Sequence, residues 1–458
     1  MADRMMTGAQ RLDDVLGGGL PRDGITLIVG LPGSGKTILA QQCAFANARA
    51  DRPALYLSTV SEPLEKLLRF GQTLTFFKPT EVGKSVFYED LGVILQEGGL
   101  SRVLDGVRGL IRERRPAMIV IDSFKALRVY ATDDADFRRF LHGLAGLFSA
   151  YPVTTLWVGE YGEEEIVLAP EFAVADAIIA LGDVGVAERT ARALQVQKLR
   201  GGDFLSGKHA YRLSSSGVTV FPRLADPRDA TDYSLGEVRC RSGIAALDDM
   251  LKDGFWPGSS ILLAGPTGVG KTLMGLSFVF HGAREGDPGL VATMQENPAQ
   301  LERAAQQFGW SMIEDGITLL YRSPVDLYLD EWVYELLDLV EATGARRVLI
   351  DSLGDLQGAA SDVTRFREYL YSLTQRCSRR GVSLLMTYEV PELYGLTRLS
   401  EHNVSHLADN VVLLRFRESG RAVSRTLTVL KSRAGGHDVR VREFEISTGG
   451  ITLTSSPS

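Results

Sequence analysis

The sequence predicts an α/β protein made of two tandem domains, each a largely parallel twisted sheet flanked by helices. Three observations predict it. A phosphate-binding signature occurs twice, an internal repeat extends well beyond those signatures, and each half alternates short β-branched apolar runs with amphipathic stretches. That alternation is the pattern of a domain whose parallel strands are linked by helices.

The first signature reads Gly30-Leu31-Pro32-Gly33-Ser34-Gly35-Lys36-Thr37, and the second reads Gly265-Pro266-Thr267-Gly268-Val269-Gly270-Lys271-Thr272. Both fit G-x-x-x-x-G-K-[ST], and each follows a short apolar run, Ile25 to Val29 and Ile261 to Ala264. That is the strand–loop–helix context the motif requires. The glycines, with Ser34, Thr267 and Val269 between them, let successive N–H groups turn toward the β- and γ-phosphates of a nucleotide. Lys36 and Lys271 add positive charge, and the hydroxyls of Thr37 and Thr272 are candidate Mg²⁺ ligands. An ordinary Gly-rich turn would explain one match, but not two in the same context.

The repeat is long. Gly8 to Leu16 (GAQRLDDVL) matches Gly243 to Leu251 (GIAALDDML), and the offset of 235 is also that of the phosphate loops (265 − 30 = 235). Thr59 to Leu67 pairs with Thr293 to Leu301, Ile119 to Ser123 with Val348 to Ser352, and Lys198-Leu199-Arg200 with Lys431-Ser432-Arg433. A period of this length is a duplicated domain rather than a solenoid repeat. The expected division is a first domain at 1–222, a linker at 223–236 where Pro, Asp and Arg cluster, and a second domain at 237–458.

Composition narrows the class. With 458 residues and 45% hydrophobic content, the chain can bury more than one core. The charged start, Met1-Ala2-Asp3-Arg4, is not a signal peptide, and no apolar run is long enough to cross a bilayer. Cys43, Cys240 and Cys377 are odd in number and widely spaced, so a cytoplasmic chain without disulfides is expected. His402 and His406 stand four apart without the Glu of a zincin, and read as surface residues. A net charge of −7 opposes nonspecific coating of nucleic acid, so neither nucleic acid nor membrane is expected as a partner. The basic run Arg376 to Arg380 lacks interleaved aromatics and reads as a solvated helix end.

Three further pairs carry candidate chemistry. Asp122 and Asp351 end apolar runs, where a carboxylate can hold Mg²⁺ through water; a helix N-cap is the competing reading. Glu62 and Glu296 follow another strand, where a carboxylate can orient and deprotonate water; a first-turn Glu on a helix dipole is the alternative. Lys198 with Arg200, and Lys431 with Arg433, are two apart on predicted strands and so share a face. Each pair can reach a γ-phosphate on a neighbouring subunit, or simply guard a strand edge.

Taken together, these residues resemble the KaiC family of RecA-like P-loop ATPases. The likeness also takes in Asp13 to Pro21 (DDVLGGGLP) and the Arg-Glu-Phe-Glu-Ile segment at 442–446. The resemblance implies tandem RecA-like domains in a double-ring homo-hexamer, with ATP between neighbours. It also implies Glu62 and Glu296 as catalytic glutamates, the two Lys-x-Arg pairs as trans-acting contacts, and Phe308 against adenine, a core residue being the alternative for Phe308.

The chain departs from the family in three places. Where the family carries two adjacent glutamates, the first is Ser61 in one half and Gln295 in the other, so slow or unequal hydrolysis is expected. Where its clock proteins carry a Ser-Thr pair that they phosphorylate, this chain reads Ser405-His406, leaving Ser405 as the candidate phospho-acceptor, with Ser400 nearby. An N-cap or loop serine is the alternative, and the first half has Phe172-Ala173 at that place. The short end after Ile451 lacks the family's long docking tail, so a full oscillator is not expected and a simpler timer or signalling ATPase fits better. The expected activity is Mg²⁺-dependent ATP hydrolysis with candidate serine autophosphorylation, with a signalling protein as candidate partner. The rival readings are a nucleotide-gated scaffold with negligible turnover and a DNA-dependent motor on the same fold.

Overall fold

The computed structural model describes residues 3–59, 63–162, 164–165, 169–186, 189–224, 236–360, 362–390, 404–419, 422–433 and 435–453. Two compact units account for it, Met1–Arg223 and Leu224–Ser458. Most of the expected linker, and with it Glu62, Ser400 and His402, lies outside the described residues.

The apolar runs read from the sequence are the central strands. Leaving aside short helical turns and the two-residue strands Arg4–Met5 and Leu20–Pro21, which pair with each other, the first unit runs β1 (Ile25–Gly30), α1 (Lys36–Asn47), β2 (Ala54–Ser58), α2 (Leu64–Gly71), β3 (Val86–Asp90), α3 (Gly92–Arg114, broken at Gly99), β4 (Met118–Asp122), α4 (Asp134–Ser149), β5 (Thr154–Gly159), β6 (Ala177–Val186), β7 (Arg189–Leu199), β8 (Lys208–Ser214) and β9 (Gly217–Phe221). The second runs β10 (Ser260–Gly265), α5 (Lys271–Arg284), β11 (Gly289–Thr293), α6 (Pro298–Gln306), β12 (Thr318–Tyr321), α7 (Leu329–Thr343), β13 (Arg347–Asp351), α8 (Leu353–Ala359), α9 (Val363–Arg379), β14 (Ser383–Glu389), β15 (Asn410–Ser419), β16 (Ala422–Ser432), β17 (Arg442–Ser447) and β18 (Gly450–Leu453).

The nine strands of the first sheet lie in the order β9-β8-β7-β6-β1-β5-β4-β2-β3. The second sheet has the same order with every strand number raised by nine. In the first sheet β6, β1, β5, β4, β2 and β3 run parallel, and β7 to β9 fold back as an antiparallel flap. The central strands are apolar throughout because helices cover both faces. Along β1, Ile25, Leu27 and Val29 enter one core with Ile119, Ile121 and Trp157, while Ile28 enters the opposite core with Val120, Leu156 and Val158. Phe124 stacks on Trp157 at 4.1 Å and fixes the turn that follows β4.

Register places the ends of the sheet. Thr26 is level with Ala177, and Gly30 is level with Leu181. Across β6 and β7, Ile178 faces Lys198 but Ile179 faces Val196, so Gln197 is bulged out. The second unit repeats this: Val411 faces Lys431, Val412 faces Val429, and Leu430 is the extra residue. Among the described residues, no helix is long and apolar enough to cross a membrane.

Candidate active site: a phosphate loop and strand-end carboxylates in each unit

Each phosphate loop joins the end of a central strand to the first turn of a helix. Gly33 (φ 78°) and Gly35 (φ 87°) take left-handed backbone, as do Gly268 (φ 76°) and Gly270 (φ 113°). A side chain at Gly35 would strike Leu213 at 2.7 Å, and one at Gly270 would strike Ile446 at 2.8 Å. Gly33 and Gly268 instead face open space. Left-handed glycines aim successive amides into one concavity, a cradle for anions at a helix N-terminus. In the first unit, strands of the antiparallel flap brace the loop: Tyr211 donates to the Ser34 carbonyl at 2.7 Å and Arg192 to that of Gly33 at 2.8 Å.

The lysines reach back over their loops. Lys36 Nζ donates to the Leu31 carbonyl at 2.8 Å, and Lys271 Nζ to those of Gly265 and Pro266, both at 2.9 Å. Burial lowers the pKa of both, and nearby carboxylates oppose it: Glu160 and Asp122 for Lys36, Glu389 and Asp351 for Lys271. The Thr37 hydroxyl donates to Asp122 Oδ2 at 2.8 Å, and the Thr272 hydroxyl to Asp351 Oδ2 at 2.7 Å. Tyr56 donates to Asp122 at 2.6 Å, and Thr387 donates to Asp351. The two aspartates thus face the loop threonines, while the residues at the helix-cap positions are Ser123 and Ser352. A hydroxyl beside a carboxylate is an oxygen donor set that suits Mg²⁺, and the amide cradle with its lysine suits nucleotide phosphates.

Glu296 lies between β11 and α6, half-buried. It precedes the helix, whose N-cap is Asn297 in a capping box with Gln300, so it is not a first-turn residue. Burial raises its pKa, and the charge of Asp351 adds to the effect. Its neighbour Gln295 donates to Asp355 at 3.0 Å. Phe308 stacks on Trp310 at 5.3 Å, and Trp310 stacks on Phe280 at 5.2 Å.

Two carboxylates at the site escaped the sequence reading. Glu160 follows β5 and lies 4.0 Å from Lys36 Nζ, and Glu389 ends β14 and accepts a hydrogen bond from Thr267. Their signal was the repeat itself, since both stand 38 residues after the strand-end aspartate (160 − 122 and 389 − 351). In the first unit a cavity of about 720 Å³ joins these groups, lined by Gly33, Lys36, Thr37, Phe70, Asp122 and Glu160.

The Lys-x-Arg pairs lie elsewhere. Arg200 and Arg433 stand just beyond β7 and β16 rather than on them. Lys198 Nζ donates to the carbonyls of Phe172 at 3.2 Å and Ala173 at 3.3 Å, and Arg200 pairs with Asp176 at 3.5 Å. Lys431 Nζ donates to the carbonyls of Ser405 at 3.2 Å and Ala408 at 2.6 Å, and Arg433 pairs with Asp409 at 3.4 Å. Ser405 sits half-buried on the single turn Val404–His406. Lys198 is level with Ile178 near the start of β6, whereas Gly30 is level with Leu181. Pair and phosphate loop therefore occupy opposite ends of the sheet, about 10 Å apart along the strand direction. The Arg376 to Arg380 cluster closes α9, with Arg380 paired to Glu341 at 3.3 Å.

The KaiC ATPase family model matches residues 5–225 and again 240–458. The circadian clock protein KaiC3 of Synechocystis sp. is 29% identical, over 98% of this chain and 92% of its own. The circadian clock oscillator protein KaiC of Picosynechococcus sp. is 28% identical, over 99% of this chain and 90% of its own. That of Rippkaea orientalis is 27% identical, over 99% and 89%.

Proposed function

This chain belongs to the KaiC family of ATPases, and from that premise we propose that it is a Mg²⁺-dependent tandem ATPase, domains 1–222 and 237–458 joined by a linker at 223–236. It assembles as a double-ring homo-hexamer with ATP held between neighbouring subunits. The observation that carries this reading is the separation of each Lys-x-Arg pair from its own phosphate loop. Those cations cannot reach a phosphate bound in the same unit, but a neighbouring copy can present them to it.

The reaction is in-line transfer of the γ-phosphoryl group. Loop amides with Lys36 or Lys271 hold the phosphates, and a neighbour's Lys198 and Arg200, or Lys431 and Arg433, neutralise charge that develops on the transferred group. Thr37 with Asp122, and Thr272 with Asp351, would hold Mg²⁺, whose charge would offset that of the phosphates. Glu62 in the first domain and Glu296 in the second orient the attacking water and take its proton. The raised pKa of Glu296 suits a base that must hold a proton briefly.

Ser405 lies beside Lys431, at the end of the second sheet away from its own phosphate loop. It accepts a phosphoryl group from ATP held by the next copy: the Ser405 Oγ–P bond forms, the bond to ADP breaks, and the serine proton passes to that copy's Glu296. The chain acts in signalling or timing, as the names of its relatives suggest.

Intact-mass spectrometry after incubation with Mg-ATP, with released phosphate assayed in the same tube, tests the whole reading. The expected result is phosphate release together with a gain of about 80 Da, one phosphoryl group, absent in Ser405→Ala. Release without a mass gain removes the kinase step, and tight ATP binding with no release establishes the scaffold instead.

A further inference from the structure

The first unit carries a second cavity, at the end of its sheet opposite the phosphate loop. It measures about 550 Å³ and lies where β2, β4 and β5 begin, lined by Arg52, Arg112, Arg115, Tyr151, Pro116 and Pro152 among others. Arg52 is held by the Pro152 carbonyl at 2.8 Å, and Arg112 Nε donates to the Tyr151 hydroxyl at 3.1 Å. Among the described residues, none of the three arginines has a carboxylate within ion-pair distance, although Asp51 stands among the lining residues.

The duplicated half gives an internal control. At the offsets of β2/β11 (289 − 54 = 235) and β4/β13 (347 − 118 = 229), Arg52 corresponds to Asp287, Arg112 to Glu341, Arg115 to Gly344 and Tyr151 to Arg380. There the charges cancel: Asp287 binds the buried Arg347 at 2.9 Å, and Glu341 pairs with Arg380 at 3.3 Å. Backbone geometry sharpens the contrast. Gly344 ends α7 in left-handed conformation (φ 65°, ψ 25°), as helix ends commonly do. Arg115 ends α3 in the same conformation (φ 48°, ψ 55°). A Cβ is disfavoured there, so the first half keeps an arginine where its twin uses the residue without strain.

We infer that this cavity binds a phosphorylated small molecule of nucleotide size. Guanidinium forks match phosphate oxygens in pairs, so converging arginines without acidic partners suit a phosphoryl group. The volume is that of an organic ligand rather than a bare ion. Tyr151, Pro116 and Pro152 offer an apolar surface to a flat ring. The lining carries no side-chain amide to read a base edge, so recognition rests on phosphate and ring face, and any purine mononucleotide is a fair probe.

The test uses the full chain with its phosphate loops saturated by a non-hydrolysable Mg-ATP analogue, titrated calorimetrically with GMP and separately with inorganic phosphate. One saturable GMP site per chain is expected, weakened about tenfold or more in Arg112→Glu, from loss of a charge-assisted contact, and likewise in Arg115→Gly. Arg115→Gly installs the twin's own residue and relieves the backbone, so misfolding does not confound it. Arg380→Ala, in the twin half, leaves binding unchanged. Absence of a saturable site, or binding by the Arg112→Glu and Arg115→Gly variants as tight as by the wild type, overturns the inference. Phosphate binding as tight as GMP overturns the nucleotide-sized part, reducing the site to an anion cradle.

Discussion

Lys431 donates from Nζ to the main-chain oxygen of Ser405 at 3.2 Å. The candidate interface cation and the candidate acceptor residue therefore share one corner of the fold. Burial and the neighbouring Arg433 both lower the pKa of Lys431, and Asp409 opposes them.

Transfer across subunits gives the sharpest prediction. A Lys271→Ala chain keeps its acceptor but holds ATP poorly, and a Ser405→Ala chain holds ATP but has no acceptor. Mixed together, they should yield phosphate on the Lys271→Ala chains alone, read by intact mass. If neither chain gains mass while the wild type does, transfer occurs within one subunit.

Arg433→Ala should leave nucleotide affinity nearly unchanged and lower turnover in the second domain, by up to about 10³-fold if it serves as an arginine finger. Steady-state kinetics in a Glu62→Gln background, which silences first-domain hydrolysis while keeping Lys36 for assembly, isolate that domain. A rise in KM at constant kcat would instead indicate a ground-state contact.

Glu296→Gln should slow hydrolysis in the second domain by about 10²–10⁴-fold. The base works only when ionised, and burial raises its pKa above the ordinary carboxylate value of 4.5. Activity should therefore fall as pH drops through that raised value, at higher pH than an exposed glutamate would give. A pH profile whose acid limb survives in the glutamine variant would exclude Glu296 as the base.

Glu389→Gln removes a charge that raises the pKa of Lys271 against the effect of burial. Lys271 must stay protonated to hold phosphate, and its charge is lost as pH rises through its pKa. The alkaline limb of kcat/KM for the second domain should accordingly move to lower pH. An unmoved limb would make Glu389 a partner of Thr267 alone.

The two domains should divide their labour. Lys36→Ala should weaken assembly, whereas Lys271→Ala should spare it and abolish phosphorylation. Light scattering on size-exclusion peaks measures assembly and intact mass measures phosphorylation, and equal loss of hexamer in the two variants would refute the division.

How much of this was legible depended on whether the signal was local. The phosphate loops could be read because G-x-x-x-x-G-K-T is contiguous, and Asp122 and Asp351 because an apolar run announces each strand end. Glu160 follows a strand and Glu389 ends one, but a lone glutamate after such a run has no motif around it, and only the spacing common to both halves marks it. The Lys-x-Arg pairs could be read as residues but not as geometry. Their placement depends on a bulge, which is a property of two paired strands, and on a strand ending one residue before the arginine. The left-handed Arg115 was invisible for a similar reason, since a sequence does not show which residue a helix stops on.

The bulged residues, Gln197 and Leu430, differ in chemistry but hold one position in the two sheets. The bulge is thus older than the duplication. On the proposed reading, a single half of this length, with its cation and its phosphate loop at opposite ends of one sheet, would complete its site only beside another copy of itself.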